Sequence, residues 1–196
     1  PVEQTSSQDP QVCLGAIYKT CKDICLHCNT LFPPPNELEM ECMYCPFFVG
    51  EKKKMYSGLK YPASPQGWKL PPELVMKGLA CTKRDRAPFV RKLGHFITEA
   101  LMSGREGTIL DKLKATISSL MVTREITEFI LSTVVRRPEE YKSQNLIQVQ
   151  TVMKYNENPN HHPLAPGARL QYVVLQGQGP LYGRGCPIEC FNHGDH

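Results

Sequence analysis

The sequence predicts an α+β fold, with a helix and antiparallel strands first and a mainly helical part after them. Three observations carry this. Apolar residues recur at steps of three and four over 11–30 and again over 89–121; polar and apolar residues alternate strictly over 37–42; and the period changes after Asp85. That order implies two packed units with a boundary near residue 85.

Each element has a local reason. From Gln11 to Thr30, Ile17, Cys21, Ile24, Cys25 and Cys28 form one stripe of a helix. Pro33, Pro34 and Pro35 forbid its continuation, because proline lacks the amide hydrogen a helix interior needs. Glu37, Glu39 and Glu41 then alternate with Leu38, Met40, Cys42 and Tyr44, the pattern of a half-buried strand. Phe47, Phe48 and Val49 make a short apolar run, Gly50-Glu51 permits a turn, and Lys53 to Lys60 is expected to return as the second strand of a hairpin. Pro62, Pro65, Gly67, Pro71 and Pro72 mark a loop, followed by a short strand from Leu74 to Leu79. Phe89, Leu93, Phe96, Ile97, Ala100 and Leu101 predict a second helix, capped by Asp85, with Pro88 in its first turn and Gly104 past its end. Ile109, Leu110, Leu113, Ile117, Leu120 and Met121 predict a third. Phe129 to Val135 reads as a strand, Leu146 to Tyr155 as either a helix or a strand, and Leu170 to Leu175 as a strand. The Gly/Pro-rich tail after Gln176 reads as weakly structured.

Charge is distributed unevenly. Residues 1–50 carry 2 basic and 6 acidic side chains, residues 51–92 carry 11 and 3, and residues 93–196 carry 10 of each. The whole positive excess therefore lies in one stretch, the footprint of a polyanion partner. No apolar run approaches the roughly 20 residues that a membrane-spanning helix requires, so no membrane partner is expected. The first ten residues are polar and read as a loose leader, without a secretory signal. Nine cysteines cannot all pair within one chain. They read as reduced thiols, which places the protein inside the cell, in the cytosol or nucleus.

Cys25 and Cys28, followed by Cys42 and Cys45, have the spacing of a four-cysteine zinc site, the core of an alternative reading as a small zinc-binding interaction module with a basic helical tail. Context argues against it. Cys25 and Cys28 sit on the apolar stripe of a helix, where cysteine behaves as a small hydrophobe. Cys42 and Cys45, three apart on a strand, point to opposite faces. No phosphate-cradling glycine loop and no Gly-x-Ser-x-Gly elbow occurs.

The run from Leu38 to Leu59, LEMECMYCPFFVGEKKKMYSGL, resembles the palm of family B DNA polymerases, whose pattern is roughly L-E-F-E-K-V-Y, an apolar strand, then K-K-R-Y-x-G-L. Leu38, Glu39, Glu41 and Tyr44 match the first part. Lys53, Lys54, Tyr56, Gly58 and Leu59 match the second, with Met55 in place of the usual Arg or Lys. Lys77, Gly78, Leu79, Lys83, Arg84 and Asp85 match the next block, K-G-L/I-x-x-x-R-R-D, with Ala80 where an acidic residue is common. The thumb pattern has counterparts in Ile130 to Val135, Pro138-Glu139-Glu140-Tyr141, Met153 as the end of a helix, and Gly167 to Val174. Leu146 replaces a frequent histidine. The resemblance covers about residues 11–191 in the right order, and its departures suggest a divergent member, viral or of the delta/zeta type.

The resemblance implies a leader over 1–10, the C-terminal part of a palm over 11–85 and a truncated thumb over 86–196. It implies Mg²⁺ in the full-length enzyme, held by aspartates that would precede residue 1, and none bound by this segment. The chain alone is thus expected to be inactive as a nucleotidyltransferase. The implied partners are primer–template DNA, the rest of the polymerase chain and a processivity factor. The implied location is the nucleus for a eukaryote or a nuclear-replicating virus. Lys53, Lys54, Tyr56, Lys77, Gly78, Lys83 and Arg84 are the implied DNA contacts. Lys142 and Lys154, outside the basic stretch, are expected to matter less.

Overall fold

The computed structural model describes residues 10–123 and 125–192. Four α-helices and two three-stranded antiparallel sheets are described, so the class is α+β. They fall into two compact units, one within Pro1–Leu79 plus Thr98–Glu106, the other within Ala80–Ile97 plus Gly107–His196. The leader expected over 1–10 lies, apart from Pro10, outside the described residues.

In the first unit, helix α1 (Pro10–Asn29) precedes β1 (Cys42–Val49), β2 (Tyr56–Pro62) and β3 (Glu73–Lys77), which pair in the order β1-β2-β3. Leu14 from α1 is buried against Met43 and Tyr61, and Ile17, Tyr18, Cys45, Leu59 and Trp68 pack around them. Trp68 fixes the loop after β2, donating from Nε1 to the Pro62 carbonyl at 3.1 Å with its ring edge-on to Tyr18. The expected stripe of α1 is shorter than its spacing suggested: Ile24 is 53% exposed.

Residues 37–41 do not form the expected strand. The Asn29 side chain accepts from the Leu38 amide at 2.7 Å and donates to the Leu38 carbonyl at 3.1 Å, so the last residue of α1 satisfies the groups a ladder would use. The strand begins at Cys42, and its register against β2 shifts between Tyr44 and Phe47. The second strand likewise starts at Tyr56, so Lys53 and Lys54 lie in the turn rather than on a strand.

Helix α2 (Pro88–Met102) contributes residues to both units. Asp85 is exposed ahead of it and pairs with Arg86 at 3.9 Å, while Ala87 immediately precedes the helix. Gly104 ends it as expected. With φ at 66°, it donates to the Leu101 carbonyl while Arg105 donates to the Ala100 carbonyl at 2.8 Å, the paired bonds of a Schellman cap.

The second unit also holds α3 (Ile109–Thr123), β4 (Leu131–Val134), α4 (Ile147–Glu157), β5 (Arg169–Val174) and β6 (Gly185–Pro187), with strand order β4-β5-β6. Val152 and Tyr155 of α4 close onto Val135 and Leu170. The segment is therefore helical from Ile147, with Leu146 extended at its N-cap, and Met153 lies inside α4 rather than at its end. The tail after Gln176 is not weakly structured: β6 pairs with β5 from Tyr172 to Val174. Gly185 permits this, since a Cβ there would stand 1.9 Å from the hydroxyl of Thr151, which is itself buried and donates to the Ile147 carbonyl at 2.7 Å. Lys154 Nζ adds bonds to the carbonyls of Gly183 at 2.5 Å and Gly185 at 3.3 Å.

Candidate nucleic-acid interface

Two cationic regions are described, one in each unit. In the first, the Gly50 amide donates to the Met55 carbonyl at 2.8 Å and the Met55 amide to the Lys52 carbonyl at 3.1 Å. These bonds close a tip at Glu51, Lys52, Lys53 and Lys54, all four exposed. Lys54 has φ at 61°, the left-handed region, which costs a residue with a Cβ about 1–2 kcal/mol. Gly78 lies against it: φ there is 67°, and a Cβ would stand 2.5 Å from the Lys54 carbonyl oxygen. The β2–β3 register sets Lys77 opposite Tyr56. Lys53, Lys54, Tyr56, Lys77 and Gly78, five of the seven residues the sequence singled out, thus share one corner. Lys52, not among them, is exposed at the same tip.

Tyr56 belongs to an aromatic trio with Tyr44 at 6.2 Å and Phe47 at 5.8 Å between ring centroids. Phe47 is 50% exposed, so this face offers ring surface beside the lysines. The Tyr44 phenol is pushed up to about 12, first by burial and then by the Cys42 thiol, with Tyr56 and Glu73 adding to it.

Lys83 and Arg84 belong to the second unit. They follow the 3₁₀ turn Ala80–Thr82 and line an open depression of about 710 Å³ together with Arg136, Lys142 and Arg169. Ser132, Thr133, Tyr141, Asp85 and Glu140 also line it. Arg169 Nη1 donates to Ser132 Oγ at 2.9 Å, and the Arg136 amide donates to the Tyr141 hydroxyl at 3.0 Å. Among the described residues none of these five cations is in an ion pair. Sequence reasoning missed Arg136, Lys142 and Arg169 because residues 93–196 are neutral in sum. The available signal was the antiparallel pairing of β4 with β5 across α4, whose register sets Arg169 opposite Val134, two residues before Arg136.

The four cysteines of the zinc spacing have separate surroundings. Cys25 lines a groove with Tyr18, Leu26 and Met40, Cys28 is half-buried on α1, Cys42 lies beside Tyr44, and Cys45 packs against the core. Burial, with the neighbouring Cys13 thiol, pushes the Cys45 thiol up. Among the described residues no group of three or more His, Cys, Asp or Glu is placed to hold a metal ion, and no helix is long and apolar enough to cross a membrane.

Comparison with known proteins supplies the context for this geometry. The sequence pattern of DNA polymerase family B matches residues 12–189. The chain is similar to the DNA polymerase delta catalytic subunit of Caenorhabditis elegans, 28% identical over 160 residues, which is 80% of this chain and 14% of that protein. Its fold is similar to that of the family B DNA polymerase from the archaeon Pyrobaculum calidifontis, with a TM-score of 0.56 and 14% identity over 76% of this chain and 18% of the other. The chain thus spans well under a quarter of the length of either relative.

Proposed function

The chain belongs to DNA polymerase family B, and on that premise we propose that it is the palm-to-thumb segment that holds the primer–template duplex. The palm part is assigned to residues 11–85 and the thumb to 86–196. The observation that carries the role is the corner built from Lys53, Lys54, Tyr56, Lys77 and Gly78. Three lysines of the expected set stand there on exposed backbone, locked by the approach of Gly78 to Lys54. Ammonium groups so displayed neutralise phosphates without reading bases, and any that reach the minor groove meet acceptors that differ little between sequences. Both suit an enzyme that copies any template.

The full-length protein is proposed to be a DNA-directed DNA polymerase acting in replication or repair synthesis, with the nucleus as its location in a eukaryotic cell. Its partners are proposed to be the rest of the polymerase chain and a processivity factor. In such an enzyme Mg²⁺ supplies charge stabilisation at the reacting phosphates. Among the described residues no group of three or more His, Cys, Asp or Glu is placed to hold a metal ion. The work proposed for this segment is to grip and align the duplex, and primer extension by the chain alone is expected to be nil.

The test is duplex binding by fluorescence anisotropy across a salt series. Replacing Lys53 and Lys54 together by Ala should flatten the slope of log affinity against log salt by about two units, equally for unrelated duplex sequences. Unchanged affinity in a variant with native circular dichroism would remove the role given to this corner.

A further inference from the structure

We propose that the cationic depression of the second unit is a phosphodiester-binding site in its own right, with Arg136, Lys142 and Arg169 as contacts beside Lys83 and Arg84. The inference rests on reading DNA as the partner of this chain, but on a different set of residues from those that carry that reading.

Five cations converge on one open space with only two carboxylates, Asp85 and Glu140, among its lining residues. Asp85 is already paired, to Arg86. Since none of the five has an ion-pair partner among the described residues, they repel one another, and an anion entering the space removes that penalty. Three of them are arginines, whose planar forks match phosphate oxygens in pairs. The Ser132 and Thr133 hydroxyls supply neutral donors of the kind that accompany phosphate contacts. Arg169 is held by Ser132, and the Tyr141 hydroxyl pins the backbone at Arg136. Part of the ordering cost of binding is therefore met before the ligand arrives. An open depression suits a strand that enters and leaves, and a lining in which five cations outnumber one amide, Gln148, and two carboxylates predicts contacts mainly to phosphates, with little sequence preference.

Lys142 and Lys154, alike by sequence, separate here. Lys142 faces the depression, whereas the Lys154 ammonium donates to two backbone carbonyls. Lys154 is thus the charge-matched control.

The experiment uses the whole chain, a fluorescent duplex and, in a parallel arm, pyrophosphate followed by amide shifts at Ser132 and Thr133. The triple variant Arg136→Gln, Lys142→Gln, Arg169→Gln should flatten the salt slope by about three units, one for each neutralised phosphate. Lysine at 136 and 169 should restore most of it, and Lys154→Gln should leave it as it was. If the triple variant misfolds, Lys142→Gln alone should cost about one unit, since that side chain is exposed. An unchanged slope in a folded variant overturns the proposal, and if the Lys53→Ala, Lys54→Ala variant still loses slope, the DNA reading survives without it. Pyrophosphate binding that the triple variant abolishes, in a chain that binds no duplex, would show a free-phosphate site and overturn both.

Discussion

The two cationic regions are assembled by opposite means. The corner of the first unit draws three exposed lysines from one tip, contiguous in the chain, and projects them outward on a backbone held by close contact between Lys54 and Gly78. The depression of the second unit gathers Lys83, Arg84, Arg136, Lys142 and Arg169 from four separate segments and turns them toward a shared space. In the first, presentation depends on main-chain geometry; in the second, on hydrogen bonds donated to the hydroxyls of Ser132 and Tyr141. The difference teaches that a local charge run and a converging charge cluster fail in different ways.

The largest effect should come from Gly78→Ala. The new methyl would press on a backbone carbonyl that cannot move aside, in a left-handed conformation that already disfavours it, so about 2 kcal/mol or more should be lost in denaturant unfolding. Duplex affinity should fall with it. A variant as stable as the native chain would break the comparison. Tyr141→Phe should cost about 1 kcal/mol, since the Arg136 amide loses its acceptor. Its damage should be confined to the salt slope assigned to the depression, leaving the Lys53 and Lys54 contribution intact in a double-variant comparison. Lys54→Gly should sharpen the contrast with almost no change in stability. Relief of about 1 kcal/mol of left-handed strain is offset by a similar gain of freedom in the unfolded chain. Only its charge should be missed, as about one unit of salt slope.

The last effect is silent at neutral pH and shows only in alkali. The Tyr44 phenol is raised by burial and by Cys42 from 10.0 to about 12, so its neutral form is favoured in the folded chain. The resulting stability is fully present below pH 10 and is lost as pH rises through about 12. Tyr44→Phe should therefore unfold less steeply over that interval, and its absorbance titration should lack the latest tyrosinate step. Persistence of that step would assign it to another tyrosine.

Much of this architecture could be read from local pattern, for physical reasons. α1, α2 and α3 follow apolar spacing, and Gly104 stops α2 because its positive φ admits the paired capping bonds. Five expected contacts lie close in space because a hairpin and its third strand join them with short connections. What failed was non-local. The alternation of Glu37, Glu39 and Glu41 suggested a strand, yet an asparagine at the end of α1 satisfied Leu38 first. β6 could not be anticipated from a Gly/Pro-rich tail, because Thr151 and Lys154 of another element hold it. α4 was ambiguous because glutamines interrupt its apolar residues. Val149, Val152 and Tyr155, three apart and all buried, resolve it. Arg136, Lys142 and Arg169 are hidden in the neutral sum over residues 93–196 and come together only in the folded second unit.

The bonds from Lys154 to the Gly183 and Gly185 carbonyls bear on the chemistry of the folded chain's amines. An ammonium already donating to two oxygens, one of them in a strand, is a poor nucleophile toward acylating reagents. Under mild labelling, the lysines at the Glu51–Lys54 tip should acquire their adducts first and Lys154 last. Forcing an acetyl group onto Lys154 would leave one N–H where two carbonyls now accept and would loosen β6, an edge strand of the second sheet. Its labelling rate is thus a clock for local opening of β6, readable by mass spectrometry while the rest of the molecule stays folded.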